Sequence, residues 1–142
     1  MAMAAPTATS TGIRPMTTDT RFLTLAQWLS PAYPVGGFAF SHGLETAISA
    51  GIVSDSATLQ AWLTDLLTDG SGRADAVWLR RAYDAAAEDI AALDQDARAY
   101  AASAERLREG QRQGAAFVQV TNAVWGLNLP PLLLPIAVGR AA

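Results

Sequence analysis

The sequence predicts an all-α fold, a single multi-helix domain resembling a helical bundle, and three observations support this. Apolar residues recur at the spacing of one helix face, most clearly at Leu59, Trp62, Leu63 and Leu66. Thirty of the 142 residues are alanine, the residue that most favours helix. No segment alternates apolar and polar side chains as a half-buried strand does. We therefore expect one helical core and no sheet.

The chain begins with a stretch unlike the rest. Residues 1–19 are small and polar and lack the apolar centre of a secretory signal, so they predict a disordered N-terminal tail. The helical domain is then expected over residues 20–142. Its first helix is predicted at residues 22–29, because Pro31 disfavours helix in the residue before it. A second helix is predicted at residues 38–50.

The next helices follow from capping and breaking residues. Gly51 ends the second helix, and Ser54 or Asp55 caps the third. The third ends at the Gly70-Ser71-Gly72 stretch, and a fourth follows with Arg80, Arg81 and Asp84 on its solvated side. A fifth, rich in alanine, is predicted at residues 89–102.

The sixth helix carries an unusual face. Its positions fall at alternating steps of three and four residues: Leu107, Gly110, Gly114, Phe117, Thr121 and Val124. Each glycine inside a helix costs about 1 kcal/mol relative to alanine. Two glycines on one face therefore predict that another part of the backbone comes close there.

The helical period also predicts which side chains form the core. The predicted set is Phe22, Leu25, Leu29, Leu59, Trp62, Leu63, Leu66, Val77, Trp78, Phe117 and Val124. The last apolar segment should be partly exposed for want of a packing partner, which would promote association of the chain. This segment contains Leu132, Leu133, Leu134, Ile136 and Val138.

Composition excludes several classes of function. The net charge of −3 and the pI of about 4.9 argue against nucleic-acid binding. The chain has no cysteine, so thiolate metal sites and cysteine nucleophiles are impossible. Its ten basic residues are all arginine, so it lacks the lysine that a Walker phosphate-binding loop requires. No apolar stretch is long enough to span a membrane. We expect a cytoplasmic protein.

The stretch from Ser30 to Glu45 is the most specific in the chain, with two prolines, a glycine pair and the only histidine. His42 and Glu45 could share a metal, but two ligands are too few for a closed site, so a hydrogen-bonding role is predicted and His42→Gln should be tolerated. One of Gly36 and Gly37 is expected to adopt a positive φ. The charged run from Glu105 to Arg112 is predicted to be a solvated helix face.

At these residues the sequence resembles the urease accessory protein F (UreF) family. The resemblance rests on Ser30-Pro31, on Pro34 to Phe38, on Ser41 to Glu45, and more loosely on the segments around Trp62, Glu105–Phe117 and Leu129–Gly139. The resemblance identifies candidate partner-binding or motif residues. In the family's Glu/Arg-rich helix, either Arg106 or Arg108 occupies the position of the family's arginine. These are Ser30, Pro31, Pro34, Gly36, Gly37, Phe38, Ser41, His42, Gly43, Glu45, Glu105, Arg106 and Arg108.

The resemblance implies an all-α, non-enzymatic scaffold and chaperone in the nickel maturation of urease. Such a protein bridges a D-type or H-type accessory protein and a G-type GTPase, the complex hands nickel to apo-urease, and members can form homodimers. The resemblance implies no catalytic residue and no cofactor held by this chain, and it implies a longer protein, incomplete here at its C-terminus. Two alternatives stay open: a small helical hydrolase using His42 and Glu45, and a plain helical oligomerisation domain.

Overall fold

The computed structural model describes residues 19–37 and 40–142, and within these ranges every regular element is a helix. The all-α prediction is confirmed. The chain divides into two compact units, one ending at Ser30 and the other running from Pro31 to Ala142. The predicted disordered tail lies almost wholly outside the described residues. None of the helices described is both long and apolar enough to cross a membrane.

Within residues 19–37 and 40–142, seven α-helices and one complete short 3-10 helix follow one another. They are α1 (Thr20–Trp28), α2 (Leu44–Ser49), α3 (Ser56–Thr68), α4 (Ser71–Asp84), the 3-10 helix (Ala87–Asp89), α5 (Ile90–Ala99), α6 (Ala104–Trp125) and α7 (Leu134–Ala141). Of the helices described, only α1 belongs to the first unit.

Side chains placed just before the helices fix where several of them begin. Asp55 forms a capping box with Thr58, in which the Asp55 carboxylate accepts from the Thr58 N–H at 2.9 Å and the Thr58 hydroxyl accepts from the Asp55 N–H at 3.0 Å. Ser103 Oγ accepts from the Arg106 N–H at 3.1 Å at the start of α6. Of the two predicted caps for α3, Asp55 is therefore the one used.

The second helix is shorter than predicted. It begins at Leu44 rather than at residue 38, because His42 and Gly43 adopt left-handed backbone angles, with φ of 52° and 83°. A right-handed helix cannot run through such residues. It ends as predicted, since Gly51 follows it with a φ of 73°.

The core of the second unit forms where α7 packs against α4 and α6. A Cβ added at Gly114 of α6 would lie 2.1 Å from the carbonyl oxygen of Leu132, and one added at Gly139 of α7 would lie 2.2 Å from that of Leu79 in α4. Main chain thus meets main chain at both glycines, which confirms the predicted close approach on the glycine face of α6. At Gly110, one turn earlier, the nearest atom is the Leu133 Cδ2 side-chain atom, at 3.3 Å.

The predicted core was wrong in composition, although the helical period was right. Phe117 is fully buried, but Phe22, Leu29 and Val124 are each more than 60% exposed. The other members of the predicted set that are exposed are Leu25, Leu63 and Val77, while Leu59, Trp62, Leu66 and Trp78 are half-buried. A period identifies the apolar face of a helix but not whether another element covers it, and no residue of α3 is fully buried.

The prediction that the last apolar segment is exposed was also wrong. The side chains of Leu132, Leu133, Ile136 and Val138 are all buried, and Leu134 is half-buried. Helices α4 and α6, which come earlier in the chain, supply the packing surface that was expected to be missing.

The start of α7 is held by a buried carboxylate. Asp94 of α5 accepts from the Leu133 N–H at 2.7 Å with one oxygen and from Arg98 Nε at 2.6 Å with the other. A carboxylate suits this position because the first N–H groups of a helix lack partners within the helix. Asp94 therefore joins α5 to the beginning of α7.

Candidate functional site

The stretch singled out in the sequence forms a series of tight turns before α2. Val35 N donates to the carbonyl oxygen of Tyr33 at 2.8 Å, which turns the chain around Pro34. Gly36 takes a φ of 71°, so it is the member of the glycine pair with the predicted positive φ. Phe38 lies outside the described residues.

One aromatic side chain anchors this stretch to α6. The side chain of Tyr33 is buried, and its hydroxyl lies 2.8 Å from the hydroxyl of Thr121, which is fully buried. Its ring lies 5.6 Å, centroid to centroid, from the ring of Phe117. Thr121 and Phe117 belong to the glycine face of α6, so the two sequence features that carried the resemblance meet in the structure.

A second anchor is a cluster of charged and polar side chains, which we call the polar cluster: His42, Asp75, Arg106, Glu109 and Gln113. Glu109 is its centre, because its carboxylate lies 2.9 Å from Arg106 Nη1, 3.1 Å from Gln113 Nε2 and 3.8 Å from His42 Nε2. Arg106 also pairs with Asp75 of α4 through Nη2. The polar cluster therefore joins the turn before α2, helix α4 and helix α6.

Burial sets the electrostatics of the polar cluster. Desolvation raises the pKa of Asp75, and this effect outweighs the opposing influence of the Arg106 guanidinium. Burial alone would lower the pKa of Arg106, but the charges of Asp75 and Glu109 more than compensate and raise it. Arg106 thus remains charged between two carboxylates, which is the arrangement that makes a buried acid such as Glu109 tolerable.

The charged run of α6 divides into a buried and an exposed part. The prediction of a solvated face was wrong for Arg106 and Glu109, whose side chains are only 19% and 8% exposed. It holds for Glu105 and Arg108, which form a loose surface pair at 3.8 Å, and for Arg112. Between the two arginines considered for the motif, Arg106 is the one built into the interior.

The remaining predicted residues lie on or near the surface. Ser30 follows α1, where its N–H donates to the carbonyl oxygen of Gln27 at 3.2 Å. Pro31, Pro34 and Glu45 are exposed, whereas Ser41 and Gly37 are half-buried. A Cβ at Gly37 would lie 3.9 Å from Gln113 Nε2, which places this glycine beside the polar cluster.

Sequence reasoning gave no role to Asp75 and Gln113, and it assigned Glu109 to a solvated face, although all three belong to the polar cluster. One signal was available, since positions 109, 113, 117 and 121 are spaced by four and lie along one side of α6, next to its glycines. Asp75 gave no signal, because its partner Arg106 is 31 residues away.

The site offers anchoring more than chemistry. In the described part of the chain, no group of three or more histidine, aspartate and glutamate side chains has an arrangement that could hold a metal ion. His42 approaches Glu109, and Glu45 is exposed on α2. What the geometry provides is a turn segment fixed against a long helix, with further polar side chains exposed on both.

Comparison with known proteins identifies the family to which this chain belongs. The chain is 50% identical over 127 residues to a "Urease accessory protein UreF" of Roseobacter denitrificans, covering 89% of this chain and 57% of that protein. It is 55% identical over 120 residues to the protein of the same name from Cereibacter sphaeroides, and 56% identical over 121 residues to that of Ruegeria sp., each alignment covering 84% of this chain and 56% of the relative. No solved structure matches.

The chain thus spans a little over half the length of these curated relatives. The sequence model of the UreF family matches residues 53–142, which include α3 to α7 and therefore the glycine face and the Arg106–Glu109 pair. This match covers more than half of the chain, and the alignments with the relatives extend further. The protein belongs to the UreF family of urease accessory proteins.

Proposed function

We propose that this protein is a non-catalytic scaffold and chaperone in the maturation of nickel urease. In this role it bridges a D-type or H-type accessory protein and a G-type GTPase, and the assembled complex delivers nickel, as cargo, to apo-urease. The observation that carries the proposal is the identity of about half of all aligned residues with proteins named urease accessory protein UreF. The proposal extends to a cytoplasmic location and to homodimer formation.

The geometry of the anchored turn is consistent with a scaffold. Tyr33 and the polar cluster attach residues 33–37 and 40–43 to α6, so that these parts of the segment present a defined surface instead of a loose loop. We assign partner contact to exposed side chains beside this segment, such as Glu105, Arg108 and Glu45. We assign a supporting role to the half-buried Arg106 and the buried Glu109.

The test is reconstitution in cells that lack their own UreF protein but retain the other urease genes. Expression of this chain should restore urease activity and the nickel content of purified urease. It should also retain the D-type or H-type protein and the G-type GTPase in an affinity pull-down. Recovery of either partner without the other would contradict the bridging role.

Separate variants test the exposed contact surface and the residues that support it. The double substitution of Glu105 and Arg108 by glutamine removes exposed charges that form only a loose pair, so the fold should keep its stability while partner capture falls. The control is Gln119→Ala, an exposed position further along α6 that should leave capture unchanged. Undiminished capture by the folded double variant would reject this surface as a contact site.

Glu109→Gln tests the support. This change leaves the Arg106–Asp75 pair but removes the charge that faces His42, so the turn segment should become more mobile, with faster amide exchange in residues 40–44. Unaltered exchange in this segment together with normal partner capture would show that Glu109 does not support it.

A further inference from the structure

A cavity of about 300 Å³ lies on the side of α4 that faces the start of α6. Its walls include the Trp78 and Tyr100 rings, alanines of α4, of α5 and of the segment after α5, and Leu107 of α6. Its polar edge is formed by Asp69, Asp75 and Arg106. This volume is at the lower end of the range for ligand sites, so it accommodates one side chain or a fragment of that size.

Two aromatic rings form a corner of the cavity. The centroids of Trp78 and Tyr100 lie 5.9 Å apart, with their planes at 68°, and Tyr100 is 69% exposed. Aromatic faces attract cations, and this chain already uses Trp78 in that way, since the guanidinium carbon of Arg81 lies 5.0 Å from the Trp78 ring centroid. The cavity wall is therefore suited to a flat cationic group.

The charges at the cavity edge have the complementary sign. Arg106 is the only cation among the lining residues, and it is shared between Asp75 and the buried Glu109. Asp69, which is exposed at the turn between α3 and α4, adds a further carboxylate. The two carboxylates among the lining residues, those of Asp69 and Asp75, therefore outnumber the single lining cation, whose charge is also shared with Glu109. Asp75 loses part of its hydration, and Arg106 only partly replaces it, which agrees with the raised pKa of that carboxyl group.

We propose that this cavity binds an arginine side chain presented by a partner protein. The guanidinium would lie against the Trp78 and Tyr100 rings and pair with Asp75 and Asp69. Arginine fits better than lysine because its planar group both stacks on aromatic rings and pairs with carboxylates. This site uses side chains other than Glu105 and Arg108, and its chemistry does not depend on the proposed role in urease maturation.

The test uses the whole 142-residue chain and two blocked tripeptides. One is acetyl-Gly-Arg-Gly-amide, and the other carries citrulline, which has nearly the same shape but no charge, in place of arginine. Titration followed by amide chemical shifts should show saturable changes around Trp78 and Tyr100 with the arginine peptide, and changes at least about tenfold weaker with the citrulline peptide. Equal binding of the two peptides, or no saturable shift with either, would overturn the proposal.

Variants locate the binding. Asp75→Asn should weaken the arginine peptide by about tenfold, and Tyr100→Ala by about threefold, because they remove a charged acceptor and one aromatic wall. Tyr100 is exposed, so its replacement should not disturb folding even where that of Asp75 does. Glu88→Gln removes the same charge from an exposed residue outside the cavity and should bind like the parent chain. Parental affinity in a folded Tyr100→Ala chain would place the binding elsewhere and reject the site.

Discussion

Replacing Gly114 by alanine should destabilise the protein, because main-chain atoms fill the space that the new methyl group needs. The added Cβ would lie 2.1 Å from the Leu132 carbonyl oxygen and 2.7 Å from the Leu134 nitrogen. Carbon and oxygen atoms come into contact at about 3.3 Å, so α6 and residues 132–134 would have to separate by about 1 Å. Both Leu132 and Leu133 are buried, so this separation opens the core.

The magnitude follows from two opposing effects. Forcing an extra methyl group into a packed core costs about 1–3 kcal/mol or more, and the upper end applies where the obstructing atoms are backbone. Alanine also stabilises a helix interior by about 1 kcal/mol relative to glycine. We therefore expect Gly114→Ala to lower the free energy of unfolding by about 2 kcal/mol.

Gly110→Ala is the matched control, since it makes the same change in the same helix one turn earlier. Here the new Cβ would meet only the Leu133 Cδ2 atom at 3.3 Å, and a leucine side chain can rotate away. The helix preference of alanine cancels between the two variants, so Gly110→Ala should be more stable than Gly114→Ala by about 2–3 kcal/mol. Urea unfolding followed by circular dichroism measures both values. Equal stabilities would refute the inference that backbone meets backbone at Gly114.

Three further predictions concern the turns and caps. Tyr33→Phe removes the hydroxyl that meets the buried Thr121 and should cost about 1–2 kcal/mol in urea unfolding, whereas a change below ~0.5 kcal/mol would contradict this anchor. His42→Gln should fold normally and retain partner capture and urease activation, because a glutamine amide can donate to Glu109 in place of the imidazole. Complete loss of activation in a folded variant would contradict this. Hydrogen bonds from the N–H and the hydroxyl of Thr58 lower the pKa of the Asp55 carboxyl group in the folded protein. The ionised cap therefore stabilises the fold fully at a pH above the pKa of an ordinary aspartate, about 4. This contribution is lost as the pH falls through the lowered pKa of the folded protein. Asp55→Asn should remove this part of the acid dependence, and an unchanged profile of stability between pH 2 and 5 would contradict it.

The features predicted well from sequence depend on local chemistry. The class of fold, the cap at Asp55 and the end of α2 at Gly51 each follow from a few neighbouring residues. The close packing on the glycine face of α6 could also be predicted, because glycine disfavours a helix and two glycines on one face indicate that another part of the chain packs there. At Gly114 the structure shows this contact, with the main chain of Leu132.

The features predicted poorly depend on distant partners. Phe22 and Val124 have the right spacing for a core, yet they are exposed, since spacing does not tell which face another helix covers. Glu109 was assigned to a solvated face because a run of charged residues on a helix usually forms i, i+4 pairs in water. Its partners are His42, far earlier in the chain, and Arg106, which is itself held by Asp75, and no local pattern reveals such pairings.

The contact between Gly139 and Leu79 has a consequence for how the protein is made. Helix α4 is synthesised about sixty residues before the segment that covers it, so its inner face, including the fully buried Ala82, has no native cover while α5 and α6 emerge from the ribosome. Forming a contact between residues so far apart in sequence lowers the entropy of the chain before the packing can stabilise it. Such contacts therefore slow folding. Until α7 is complete, the nascent chain exposes the apolar face of α4. A general chaperone would find the most apolar surface to bind during this interval.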